Sequence, residues 1–168
     1  LGDYILDRFK LDSKKPDLAE WRSIVESSNA ANEKLRIGIV GKYVELHDAY
    51  MSVKESVVHA SIHQNQDVEI VWIHSGELEK GKGRDQLESL DGVVVPGGFG
   101  YRGIEGKIIA AQYAREQKVP YLGLCLGMQV MCIEFARNVL EMDDANSAEF
   151  DESTSHPVID LMLEQRAI

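Results

Sequence analysis

Lys118-Val-Pro-Tyr-Leu-Gly-Leu-Cys-Leu-Gly-Met-Gln-Val-Met-Cys-Ile-Glu-Phe-Ala-Arg137 runs from an apolar segment into a helical pattern at Cys125. Pro120 to Leu124 is a short apolar and aromatic run, the pattern of a buried strand. Helical spacing of apolar residues begins directly after Cys125, with no loop between. A chain that passes from strand to helix within one residue must turn sharply and press its two backbones together. Gly123 and Gly127 carry no Cβ to obstruct that approach. The pattern Gly-x-Cys-x-Gly therefore predicts a nucleophile elbow, with the thiol on the tip of the turn. The free N–H groups of the following helix face the sulfur and stabilise negative charge on it.

Working outward, the elbow helix is expected to run to about Leu140, and Ile104 to Gln117 has helical spacing before it. Gly92 to Val95 reads as a strand, as do Val68 to Ile73 and Leu35 to Val40. Ala49 to Ile62 reads as a helix burying Tyr50, Val53, Val57, Ala60 and Ser61. One helical turn is expected at Gly76 to Leu78, and a short helix ends at Leu87 to Leu90. Strand and helix thus alternate four times, the pattern of an α/β fold. Its sheet is open and mostly parallel, with helices on both faces. Pro157 to Leu163 reads as one more strand, at an edge or entry that tolerates proline. Glu141 to Ser155 reads as acidic and irregular. The segment 1–33 is a separate connecting stretch. It has an amphipathic start, a polar break at Asp12 to Lys15, a helix opened by Pro16, and a place on the surface of the domain formed by 34–168.

Parallel sheets of this kind bind ligands beyond the carboxyl ends of their strands. Three segments are expected to meet there: Gly41 to Asp48, Pro96 to Gly103, and Cys125. Gly98-Phe-Gly-Tyr-Arg-Gly103 matches a dinucleotide fingerprint in letters. It follows the third strand rather than the first, and no acidic residue lies about twenty positions on. A glycine-dense loop opposite a thiolate has a better use, which is to aim bare backbone N–H groups at a developing oxyanion, with the N–H of Leu126 as second donor. Gly38 to Lys42 fails the phosphate-loop pattern and reads as an exposed strand end.

A thiolate attacking a carboxamide needs a group that protonates the departing amine. His59 and His63 lie four apart on a helix and read as solvated, while His47 and His74 sit near strand ends. His156 precedes a strand and is expected at the opposite edge of the sheet. None is assigned as the base. Cys132 reads as a helix-body cysteine, and its spacing from Cys125 suits neither a disulfide scaffold nor a metal site. With 168 residues, 44% hydrophobic and 27% charged, the chain has one domain's worth of core. Its net charge of −10 argues against nucleic acid and anionic membranes as partners. The sequence shows no signal peptide or membrane-spanning run, so a cytoplasmic location is expected.

Three runs carry a family resemblance: Val94-Val-Pro-Gly-Gly-Phe-Gly-Tyr-Arg-Gly103, Pro120-Tyr-Leu-Gly-Leu-Cys-Leu-Gly-Met-Gln129 and Asn146-Ser-Ala-Glu-Phe150. Gly41-Lys-Tyr-Val44, Asp48-Ala-Tyr50-x-Ser52 and His156-Pro-Val-Ile159 agree with them. Together they resemble the class I (triad) glutamine amidotransferase domain of the CTP synthases. The resemblance implies a flavodoxin-like amidotransferase fold with Cys125 as nucleophile on L-glutamine, and an oxyanion hole from the N–H groups of Gly98 and Leu126. It implies a glutamine pocket lined by Leu126, Gly127, Met128 and Gln129, with Glu149 holding the α-amino group. It further implies an upstream synthase domain that uses ATP with Mg2+ and UTP, activation by GTP, a role in pyrimidine biosynthesis and a homo-oligomeric, tetrameric enzyme. The amidotransferase domain itself needs no cofactor or metal. The family's catalytic His-Pro-Glu is not matched, because Val158 follows His156-Pro157 where the carboxylate would stand, and a C-terminally incomplete domain is expected. Two other readings fit the elbow: a stand-alone cysteine hydrolase or redox-sensing protein, and a non-catalytic regulatory or docking domain.

Overall fold

The computed structural model describes residues 1–12, 14, 16–30, 34–162 and 165. Four strands form one parallel sheet in the order β2-β1-β3-β4. They are β1 (Lys34–Gly41), β2 (Asp67–His74), β3 (Gly92–Val95) and β4 (Tyr121–Gly123). Ile37 pairs with Gly92 and Ile39 with Val94, while Val93 pairs with Tyr121 and Val95 with Gly123. The chain steps outward from β1 to β2, then returns across β1 to β3. That reversal opens a crevice at the carboxyl ends of β1 and β3, as flavodoxin-like order requires.

Both sheet faces are covered, so successive strand residues are buried in opposite directions. Ile39 and Val94 pack with Val44 and Tyr50 beneath α3 (Met51–His63), against its half-buried Val53 and Val57. Val40, Val93 and Val95 point the other way. They join Ile73, Leu87, Leu90, Leu78 of α4 (Ser75–Glu79), and Ala110 and Ala114 of α5 (Ile104–Gln117). A third cluster holds α5 against α6 (Leu126–Asn138) through Ile104, Ile108, Ala111, Leu126, Val130 and Ile133. The alternating α/β architecture read from the sequence is therefore the one formed.

Several details differ from expectation. The first domain helix opens as a 3₁₀ turn, His47–Tyr50, before α3 proper. Ala60, expected in its buried stripe, is exposed. It lines an open apolar groove with Val57, Val94, Leu122 and Leu124, where the sheet ends and leaves Leu122 53% exposed. Pro157–Ile159 forms a strand, β6, but it does not join the main sheet. It pairs in parallel with the two-residue β5 (Asn146–Ser147), inside the stretch read as irregular, and Leu163 lies outside the described residues. His156 thus leads into a separate small sheet and is not at the far edge of the large one.

At the other end, α1 (Gly2–Phe9) buries none of its residues. Helix α2 (Ala19–Ala30) starts three residues after Pro16, because the Asp17 carboxylate accepts the Ala19 N–H at 3.0 Å as a helix cap does. Its Trp21 and Ile24 share a cavity with His59, Ile62 and His63 of α3. Segment 1–30 is therefore in contact with the domain through α2, with α1 standing clear. The polar stretch 31–33 and Ser13 and Lys15 of the earlier break lie outside the described residues.

Candidate active site at the cysteine elbow

Cys125 has φ 54° and ψ −109°, a conformation rare for a residue with a side chain. Such a residue costs on the order of 1–3 kcal/mol unless its surroundings hold it there. Here they do. The Leu124 N–H donates to Val95 O at 2.9 Å, and the Gly127 N–H to Leu124 O at 3.0 Å. The Met128 and Gln129 N–H groups both donate to Cys125 O, at 3.0 and 3.2 Å. A Cβ on Gly123 would lie 2.5 Å from the backbone of Gly127 and Met128, and one on Gly127 would overlap the Val95 carbonyl. The two glycines therefore let helix α6 start against the ends of β3 and β4. The sulfur is left free and solvent-exposed.

The loop after β3 closes over this turn. A Cβ on Gly97 would sit 3.4 Å from Cys125 Cβ and 3.8 Å from its Sγ, within van der Waals contact, so the backbone of this loop passes directly beside the thiol. Gly98 follows with its own bare backbone, 3.9 Å from Leu126 Cδ2 by the same measure. The loop's aromatic tips Phe99 and Tyr101 are exposed. At the end of β1, the Lys42 ammonium donates to Phe99 O and lies 5.2 Å from the Tyr43 ring centre, while Arg102 approaches the same ring at 5.6 Å. All three segments expected at the sheet's carboxyl edge are present there. Gly38 to Lys42, read as an exposed strand end, is instead buried at Gly41 and half-buried at Lys42.

Of the residues singled out for the glutamine pocket, Leu126 and Gly127 are buried in the first turn of α6, Gln129 is half-buried and Met128 is exposed. The Met128 sulfur lies 3.8 Å from that of Cys132, one turn along. Glu149 follows β5 with its N–H donating to Ser147 Oγ at 3.2 Å, and its side chain is exposed. It lines a cavity of about 510 Å³ with Ser147, Glu152, Asp160 and Leu161, which the elbow residues do not line. The structure therefore brings Cys125, Gly98 and residues 126–129 together, and places Glu149 in a different cavity.

The histidines sit away from the elbow residues in other clusters. His47 stacks on Trp72 at 4.7 Å, and His74 Nδ1 accepts the Gly76 N–H at 3.0 Å, capping α4. His59 and His63 are exposed beside Trp21. His156 Nδ1 meets Asp144 Oδ1 at 2.5 Å and Ser155 Oγ at 3.2 Å. Ser155 and His156 hold the Asp144 carboxyl well below the usual carboxylate range. Among the described residues, no three His, Cys, Asp or Glu side chains are grouped to hold a metal ion.

The family model for class-I glutamine amidotransferases matches residues 45–160, which include the elbow, the glycine loop and Glu149. The chain belongs to that family. It is 51% identical to a CTP synthase of Dehalococcoides mccartyi, over all of this chain and 31% of that relative. Against a CTP synthase of Methanopyrus kandleri the identity is 48%, over 99% of this chain and 32% of the relative. The chain thus spans about a third of the length of these curated relatives. A solved Trypanosoma brucei CTPS glutaminase domain with bound acivicin superposes with a TM-score of 0.72 at 43% identity, covering 77% of this chain and 50% of that one.

Two groups of this amidotransferase site escaped the sequence reading. Tyr121 donates its hydroxyl to Gly127 O at 2.8 Å and so ties β4 to the start of α6. Its burial pushes phenol ionisation well above the ordinary tyrosine range. Lys107 is 1% exposed, and its ammonium donates to Pro96 O at 3.3 Å beneath the glycine loop. On a sequence, Lys107 is one polar residue in an amphipathic helix. Its one available signal is that Ile104, Ile108 and Ala111 put position 107 on the buried side.

Proposed function

We propose that this chain is the glutaminase domain of a CTP synthase, and that it releases ammonia from L-glutamine through a thioester on Cys125. The single observation that carries the reading is the elbow, where a non-glycine residue at φ 54° presents a free thiol against the Gly97–Gly98 backbone. The thiolate attacks the carboxamide carbon and the carbonyl oxygen takes the negative charge. The N–H groups of Gly98 and Leu126 donate hydrogen bonds to that oxyanion. Collapse of the adduct expels ammonia once its nitrogen is protonated and leaves a γ-glutamyl thioester, which water then hydrolyses to glutamate. Leu126, Gly127, Met128 and Gln129 line the substrate, and Glu149 holds its α-amino group. His156 is held by Asp144 and Ser155 and is not the acid–base partner in this reading.

The relatives named above support the wider assignment. In it, residues 1–33 lead from a synthase domain into the amidotransferase domain at 34–168. The synthase domain uses ATP with Mg2+ to activate UTP for amination, GTP promotes the glutaminase step, and the enzyme is a cytoplasmic homotetramer. Among the described residues no helix is long and apolar enough to cross a membrane.

The test is covalent trapping. A glutamine-like diazo-ketone incubated with the protein carrying this chain should add to Cys125, as mapped by peptide mass spectrometry, and Cys125→Ser should abolish the adduct. A label on another residue, or no label in a preparation that hydrolyses glutamine, sinks the assignment.

A further inference from the structure

Lys107 is the buried charge that the mechanism above does not use. Its Nζ sits under the loop that would cradle the oxyanion, on the Pro96 carbonyl at 3.3 Å. A Cβ on Gly98 would lie 3.7 Å from that Nζ, while one on Gly97 would lie 3.8 Å from the Cys125 sulfur. Two consecutive loop glycines therefore lie beside the ammonium and the thiol in turn, each close enough that a side chain would meet the group.

A buried cation is costly without a counter-ion. Lys107 has no carboxylate partner among the described residues. Glu77 of α4 is engaged by Lys80 and Lys82, Glu134 of α6 by Arg115, and Glu105 of its own helix by Arg137. The charged groups that do face it are Lys42, at the end of β1, and Cys125. Burial and Lys42 push its ionisation down to about 8, while the Cys125 thiolate pulls it back up.

We propose that Lys107 is a positioning residue for the cysteine: its ammonium fixes the Pro96–Gly98 loop and supplies the positive charge against which the Cys125 thiolate is held. The proposal rests on Cys125 being the nucleophile. Its sign is definite. The ammonium is present below a pH of about 8 and is lost above it, so its help to the thiolate fades as pH rises through that value.

The experiment compares the full chain with its Lys107→Met and Lys107→Arg variants. The readout is the second-order rate of Cys125 alkylation by iodoacetamide across neutral and alkaline pH. Lys107→Met should slow alkylation roughly tenfold at neutral pH and displace the pH–rate profile, while Lys107→Arg stays within about threefold of the parent. Equal rates and superimposable profiles for the parent and Lys107→Met overturn the proposal. A second measurement needs no variant. The Lys107 ε-carbon resonance should titrate at lower pH once Cys125 is capped by iodoacetamide, because a neutral thioether no longer favours the ammonium. An unchanged titration also overturns the proposal, and it decides alone if Lys107→Met does not fold. Failure of the diazo-ketone to label parent Cys125 would instead remove the glutaminase reading itself.

Discussion

Lys107 and Cys125 show how single residues are held against their own preferences. The elbow cysteine adopts a backbone angle that glycine would take more readily, and the hydrogen bonds of Leu124, Gly127, Met128 and Gln129 keep it there. The buried lysine keeps a charge in a place that favours a neutral group. Because its ionisation is lowered to about 8 in the fold and returns to that of an ordinary lysine in the unfolded chain, the unfolded state binds more protons between those values. Stability should therefore rise with pH over that window, by up to about 3 kcal/mol, and Lys107→Met should lack the rise. Urea denaturation of both proteins at pH near 8 and near 10 checks this, and a parallel pH response in the two refutes it.

Between elements, the strongest polar tie joins α5 to α6. Arg115 grips Glu134 through Nε at 3.0 Å and one terminal nitrogen at 2.7 Å, and Asn138 adds a bond at 3.1 Å. Glu134 is 1% exposed. Arg115→Ala would leave its carboxylate buried with one neutral donor, at a cost of about 3 kcal/mol. Replacing both partners together, Arg115→Met with Glu134→Leu, should recover most of that loss. Thermal denaturation of the single and double variants tests it, and a single variant within about 0.5 kcal/mol of the parent would show the pair to be superficial. The pair ties α5 to the helix that carries the elbow at its start. Further along, Arg137 reaches Ala145 O at 2.6 Å and Glu105 at 3.0 Å, tethering the segment that carries Glu149.

Across the whole molecule, protection from solvent is graded. Strand β3 has four buried residues and lies between β1 and β4, whereas α1 buries nothing and exposes Tyr4 and Phe9. Amide hydrogen exchange should therefore be slowest in β3 and near the unprotected rate in α1. Comparable protection in the two would contradict the packing described.

Much of this was legible in the residues. The order of strands and helices, the parallel sheet and the one-residue passage at Cys125 follow from local patterns that few backbones satisfy. The rest was not, for physical reasons. A two-residue strand such as β5 has no periodicity to read, so the β5–β6 pair and the place of His156 stayed hidden. Asp17, not Pro16, starts α2, because a side-chain cap depends on a conformation that composition does not specify. Lys42 and Lys107 look like surface lysines until the loop that they support is folded above them.

By itself, then, the sequence determined the α/β class, the elbow and the glycine loop opposite it, because glycine spacing and apolar runs constrain the backbone directly. Folding buries Lys107 beneath Pro96, braces Gly127 with Tyr121, and puts Glu149 in a cavity that the elbow residues do not line. Those facts depend on which distant side chains share a space. No run of consecutive residues encodes that.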